Sequence, residues 1–240
     1  MELTIDGAGL LTANGSYSDY GAAGIGGGYG KSGGSITING GVITAKGGFR
    51  SAGIGGGHSG TGGSITINGG TVTATGGNSP SNSNDGGAGI GSGHFGFGGS
   101  VTINGGTVTA QGGYNGAGIG GGGGRSGDIG GSVTINGGTV TVTGGNAGAG
   151  IGAGHLGSGV DVTISGGSVL AHGHDGNPDI DAPINAAGAP VYLTSIRLSE
   201  SGKNARVTSL TANLTDLPYN YGVNGMFSSG SGLLYLHLPV

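Results

Sequence analysis

The fourteen residues SITINGGTVTATGG at 64–77 constrain the chain more than any other feature. They form two short runs of alternating apolar and polar residues, broken by a Gly-Gly pair. Near-copies recur at 35–48, 100–113, 132–145 and 161–173, and a frayed copy, LTIDGAGLLTANG, occupies 3–15. Alternation with period two places successive side chains on opposite faces of a strand. A strand pair repeated along a chain buries its apolar face only by stacking on its neighbours, which is the pattern of a solenoid.

A second motif precedes each strand pair: AGIGGG at 23–28, 52–57 and 117–122, AGIGSG at 88–93 and AGIGAG at 149–154. Its isoleucines, 25, 54, 90, 119 and 151, fall 29, 36, 29 and 32 residues apart. That spacing is long for one strand pair and suits one turn of a three-sided parallel coil with sides AGIG, SITIN and TVTAT. The expected fold is all-β, a single-stranded parallel β-helix with one coil per 29–36-residue repeat, right-handed as parallel crossovers almost always are. About six coils, the first partial, would fill residues 1–175, stacked at ~4.8 Å each. The inward columns read as Ile25/Ile54/Ile90/Ile119/Ile151, Ile36/Ile65/Val101/Val133/Val162, Ile38/Ile67/Ile103/Ile135/Ile164, and Ile43/Val72/Val108/Val140/Val169 beside Ala45/Ala74/Ala110/Val142/Ala171. These side chains are β-branched or small, as a narrow parallel interior requires.

Glycine makes up 68 of the 240 residues, a level that without periodicity would signal low complexity. Here the corner pairs 40–41, 69–70, 105–106, 137–138 and 166–167 are expected to adopt positive φ. The residue before each pair is Asn39, Asn68, Asn104, Asn136 and then Ser165, with Asp6 in the frayed copy. Side chains stacked in this way can bond from coil to coil as a ladder. Length variation falls between the end of one TVTAT side and the next AGIG, where loops are expected. The longest such loop is NSPSNSNDGG at 78–87. A second variable segment follows AGIG, and there Tyr29, His58, His94, Gly123 and His155 share a position.

The repeats stop near residue 175. Residues 176–190 hold three prolines and read as a linker or cap. Strand-like runs at 191–198, 205–212 and 232–238 make 191–240 a small C-terminal β segment or a cover for the open end of the solenoid. The chain starts within a repeat, with Met1 followed at once by a strand, so it is expected to be part of a larger protein.

Several classes of chemistry are disfavoured. There is no cysteine for a disulfide or thiolate site. Seven scattered Lys and Arg make no phosphate-binding footprint, so no nucleic acid is expected. No apolar run reaches the ~18–20 residues of a membrane-spanning helix, so no membrane insertion is expected. Parallel β-helices can carry polysaccharide lyase or hydrolase sites, which need clustered carboxylates or a carboxylate with a base and calcium. The acidic residues of the coil lie on different edges, and Asp175, Asp179 and Asp181 sit in the Pro-rich segment. His58 with His94, and His172-Gly-His174-Asp175, could chelate but lack an evident further ligand. No catalytic residue, metal site or cofactor is assigned, and no enzyme activity is expected.

Two surfaces remain as candidates. An outward file of Thr37, Thr66, Thr102, Thr134 and Thr163 runs between serines and the asparagine ladder, and a second file holds Thr12, Thr44, Thr73, Thr109 and Thr141. Exposed strand positions favour threonine in any case, but an even hydroxyl array could also bind ice or another regular lattice. The other surface is the loops, whose Tyr17, Tyr20, Phe49, His94, Phe95 and Tyr114 could stack on sugar rings.

The combination AGIGGG…GGSITINGGTVTATGG over 1–173 resembles Gly-rich repeats of large secreted or wall-attached proteins of Gram-positive, especially clostridial, bacteria. The tail APVYLTSIRLSESG…YNYGVNGMFSSGSGLLYLHLP resembles the segment that follows such repeats. The related carbohydrate-binding β-helix family implies pectin-like glycans and calcium, although the coil lacks clustered acidic ligands. The resemblance implies an extracellular or cell-surface, non-catalytic spacer or adhesin whose partner is a polysaccharide or a host or cell-wall glycan.

Overall fold

In the computed structural model the alternating runs become strands that stack in register on three parallel sheets. Described are residues 1–19, 21–79, 85–124, 130–174 and 180, together with the backbone of strands at 129, 184–186, 189–197, 206–207, 226–227 and 233–239. The SITIN side stacks Glu2–Ile5, Ser35–Ile38, Ser64–Ile67, Ser100–Ile103, Ile129–Ile135 and Ser158–Ile164. The TVTAT side stacks Leu10–Asn14, Val42–Lys46, Thr71–Thr75, Thr107–Gln111, Thr139–Thr143 and Ser168–His172. The AGIG side is reduced to the two-residue strands Ile25–Gly26, Ile54–Gly55, Ile90–Gly91, Ile119–Gly120 and Ile151–Gly152. The chain is therefore an all-β parallel solenoid of about five turns.

Register is kept residue for residue, so the inward columns place apolar on apolar: Ile36 on Ile65, Val101 on Val133, Val72 on Val108, Ile54 on Ile90. Between the three sheets lies one continuous apolar core, in which Ile38, Ile67, Ile103 and Ile135 are wholly buried. Burial of each such side chain is worth about 1.5–3 kcal/mol, and each coil repeats the same contribution against its neighbour. At the ends the columns loosen: Leu3, Ile5 and Ala13 at one, Val169 and Ala171 at the other, are only partly buried.

The corner before each TVTAT strand behaves differently from the expectation in one respect. Only the second glycine of each pair has positive φ, as Gly41, Gly70, Gly106, Gly138 and Gly167 show at 85–91°. The asparagine before the pair keeps negative φ and serves the ladder instead. Asn68 Nδ2 donates to Asn39 Oδ1 (2.7 Å), Asn104 to Asn68 (2.8 Å) and Asn136 to Asn104 (2.8 Å). The run starts on the Asp6 carboxylate, which accepts from Asn39 at 2.6 Å, and ends on Ser165, whose hydroxyl donates to Asn136 at 2.8 Å.

The AGIG side is narrow because its glycines let the backbones of adjacent coils pass without side chains. A Cβ on Gly55, at φ 129°, would land on the Gly91 carbonyl oxygen. Each motif also folds back on itself, the N–H of Ala52 donating to Gly56 C=O (3.0 Å) and that of Ala88 to Ser92 C=O (2.9 Å). The loop entering the motif is thereby brought beside the loop leaving it. Beyond the repeats, Ile184–Ala186 continues the SITIN sheet in parallel beside Val162, and Ala189–Arg197 and Leu233–Pro239 follow in antiparallel. Asp175, Asp179 and Asp181 lie outside the described residues.

Candidate functional site

The pinched AGIG corner positions the only concentrated set of charged and aromatic side chains among the described residues of the coil. Two rows of loops meet there. The entering row carries Phe49, Arg50 and Ser51, then Asp85, then Tyr114 and Asn115. The leaving row carries Tyr29, then His58, then His94 and Phe95, and later His155 and Leu156. The rows are tied by backbone: the His94 N–H donates to Arg50 C=O (2.9 Å) and the His155 N–H to Asn115 C=O (2.8 Å). Within the entering row, Ser51 Oγ donates to Phe49 C=O (2.9 Å) and accepts from the His58 N–H (2.9 Å).

Asp85 is the electrostatic centre of this edge. Its Oδ2 meets Arg50 Nη2 at 2.5 Å and its Oδ1 meets His94 Nε2 at 3.0 Å. The Arg50 guanidinium lies over the Phe49 ring, 4.7 Å from its centroid, a favourable stack for a delocalised cation. Asp85 is held in place by the base of its own loop, where Ser79 N–H donates to Asp85 C=O (3.0 Å) and Asn78 bridges Gly86.

His58 and His94 lie beneath, 8% and 3% exposed, with ring centroids 5.9 Å apart. Burial is the main cause that depresses both pKa values, and the Arg50 charge lowers them further against the pull of Asp85. For His94 the value falls to about 4. At neutral pH both imidazoles are therefore uncharged, and His94 donates its Nε2 proton to Asp85. The Nδ1 atoms of both have no partner among the described residues.

On this neutral base rest two outer rings. Tyr29 meets His58 edge-on at 5.3 Å, and Phe95 lies over His94 at 3.8 Å. Tyr29 is 47% and Phe95 38% exposed. The backbone under Phe95 is in the left-handed region at φ 66°, and stacked at the equivalent position are Gly30 (66°), Ser59 (60°) and Leu156 (65°). Left-handed backbone costs a bulky L-residue roughly 1–2 kcal/mol. Two of the five coils have glycine at this position, Gly30 and Gly124, whereas two others hold an exposed Phe or Leu. Arg50 is left-handed too, at φ 54°. Strain of this kind collects at functional sites.

Comparison with known proteins bears on the coil as a whole. A family model described as a beta helix repeat matches residues 3–29, 36–58, 65–94, 101–123 and 133–155, more than half of the chain. The chain belongs to the beta helix repeat family. Neither the curated proteins nor the solved structures gave a match.

Within this beta helix repeat protein the expected binding residues separate into three groups. Thr37, Thr66, Thr102, Thr134 and Thr163 do form one file in register, but all are half-buried. The TVTAT face is the more open: Thr71, Thr73, Thr107, Thr109 and Thr139 are exposed and aligned, with Leu170 closing one file and Val42 and Leu10 another. On the loops, Phe49 and His94 are buried and act as support, while Phe95 and Tyr114 face solvent. Tyr114 stands apart in the entering row, its N–H donating to Asn78 Oδ1 (2.6 Å) and its hydroxyl accepting from Asn146 (3.3 Å). Tyr20 lies outside the described residues. Arg50 and Asp85 were not anticipated as site residues, because nothing in the repeat marks them and their meeting depends on two loops of different length. The positive-φ file could have been found by aligning the segments YG, HS, HF, GG and HL that follow AGIG.

Among the described residues no three His, Cys, Asp or Glu side chains gather as a metal site would require.

Proposed function

We propose that this β-helix is a non-catalytic binding module of a bacterial surface or secreted protein, of the Gram-positive repeat type its sequence resembles. Its loop edge holds a glycan. One observation carries the reading: Phe95 is kept on the surface in a left-handed backbone conformation, over a neutral imidazole and beside an Arg50–Asp85 pair. Rings of sugars stack on exposed aromatic faces, and a fixed ion pair offers donors and acceptors to adjacent hydroxyls. The rod supplies a rigid support for such an edge, which favours display or adhesion over catalysis.

A glycan array probed with the tagged chain tests this. Retention on at least one polysaccharide class is expected, and retention on none would overturn the reading. A second reading, lattice or ice binding, draws support from the aligned, exposed threonines of the TVTAT face. It predicts thermal hysteresis, and a freezing point equal to the melting point removes it.

A further inference from the structure

The two exposed rings of the loop edge belong to alternate coils. Gly30 N–H donates to His58 C=O (2.7 Å) and Ser59 N–H to His94 C=O (2.8 Å). His58 therefore lies one coil beyond Tyr29, and Phe95 two coils beyond. Parallel coils are spaced at ~4.8 Å, so the two rings stand about twice that far apart along the rod. His58 fills the interval from below, 5.3 Å from the Tyr29 ring and 6.4 Å from the Phe95 ring, and is itself buried. The edge thus reads ring, recess, ring, with the step between members set by the coil.

One coil step is close to the length of one pyranose unit in an extended sugar chain. In a β-1,4-linked ribbon each unit is turned over relative to the last, so every second unit presents the same face. Stacking rings on alternate coils meet that arrangement. A helically wound α-linked chain would leave the line after one contact, and a single sugar could cover only one ring. The charges carried by these loops also balance in number, Lys31 and Arg50 against Asp19 and Asp85, with Asp85 already paired to Arg50. The imidazoles below add no charge at neutral pH. Nothing in that balance favours a polyanion.

We infer that the glycan of the loop edge is a neutral β-1,4-linked polysaccharide lying parallel to the coil axis, one sugar unit per coil, with Tyr29 and Phe95 stacking on alternate units. The inference rests on the glycan reading above and narrows it to a ligand class and an orientation.

Calorimetric titration of the full chain with β-1,4-linked gluco-, manno-, xylo- and N-acetylglucosamine oligomers, from monomer to hexamer, tests it. A trimer is the shortest chain that spans both rings. At least one series should gain about tenfold in affinity between dimer and trimer, the increment of one additional stacked ring. Tyr29→Ala should abolish that step, so that the variant binds dimer and trimer with affinities within about twofold of each other. Affinity that does not change with length, or tighter binding of oligogalacturonides or of α-1,4-linked gluco-oligomers, would overturn the inference and leave the broader glycan reading standing. If no oligomer binds and the array is also blank, both fail. Because the length series is read on the unaltered protein, the outcome does not depend on how well the variant folds.

Discussion

Individual residues in this coil are judged by the backbone that passes beside them. Gly55→Ala places a methyl group on the Gly91 carbonyl at φ 129°, so the variant should lose about 2–3 kcal/mol or more in chemical denaturation. Gly28→Ala, with open space around its Cβ, should stay within about 0.5 kcal/mol of the parent. Leu156 is the converse case, 57% exposed and left-handed at φ 65°. Leu156→Gly should leave stability unchanged or raise it by about 0.5–1 kcal/mol, since relieved strain outweighs added chain entropy. His94 gives the edge a pH dependence of definite sign. Its pKa of about 4 lies below the ordinary 6.5, so the folded chain binds fewer protons than the unfolded chain between those values. Stability is complete above the ordinary histidine range and is lost as pH falls toward about 4. The groups that face His94, namely Arg50, Asp85 and His58, set this balance, and His58 shifts in the same direction. Melting temperatures should therefore fall across that window, and less steeply in His94→Gln.

The elements are stabilised by stacking, so position along the rod decides what a substitution does. Ile103→Ala, in a wholly buried column, should cost about 2–5 kcal/mol, and Ile5→Ala, at the partly buried end, clearly less. Asn68→Ala breaks two rungs of the corner ladder, to Asn39 and to Asn104. Ser165→Ala breaks only the terminal one. At this exposed corner each rung is worth about 0.5–1.5 kcal/mol, and denaturation midpoints should rank the interior variant below the terminal one. These elements were legible in the sequence because alternation fixes which residues face inward, and identical repeats fix the register. Ile25 through Ile151, and the Asn39 to Asn136 ladder, follow from that alone. The loop edge was less legible. Thr37 and its equivalents are half-buried in their file, and the more open hydroxyls lie on the TVTAT face, because exposure depends on how neighbouring side chains pack and not on alternation. Phe49, an expected ligand contact, is buried at 9% beneath Arg50. The Arg50–Asp85–His94 contact joins loops from successive coils, and no periodic signal encodes such a meeting.

Among the described residues the coil is a regular rod with one irregular edge. Two of its sides repeat nearly the same strands from coil to coil, and the left-handed non-glycine residues and the Arg50–Asp85–His94 contact gather at the third corner. A chain built to act as a spacer alone gains nothing from bulky residues in left-handed backbone at a glycine-permissive position. On the proposed function, recognition belongs to the loop edge and the threonine faces are solvated strand surface. One comparison tests that division most directly. Binding of the polysaccharide retained on the array is titrated for the parent chain, for Phe95→Ala, and for the face variant Thr73→Lys with Thr109→Lys, all confirmed as folded by circular dichroism. The account predicts at least about a tenfold loss of affinity for Phe95→Ala and parent-like binding for the face variant. Loss confined to the face variant, with Phe95→Ala unchanged, would contradict it.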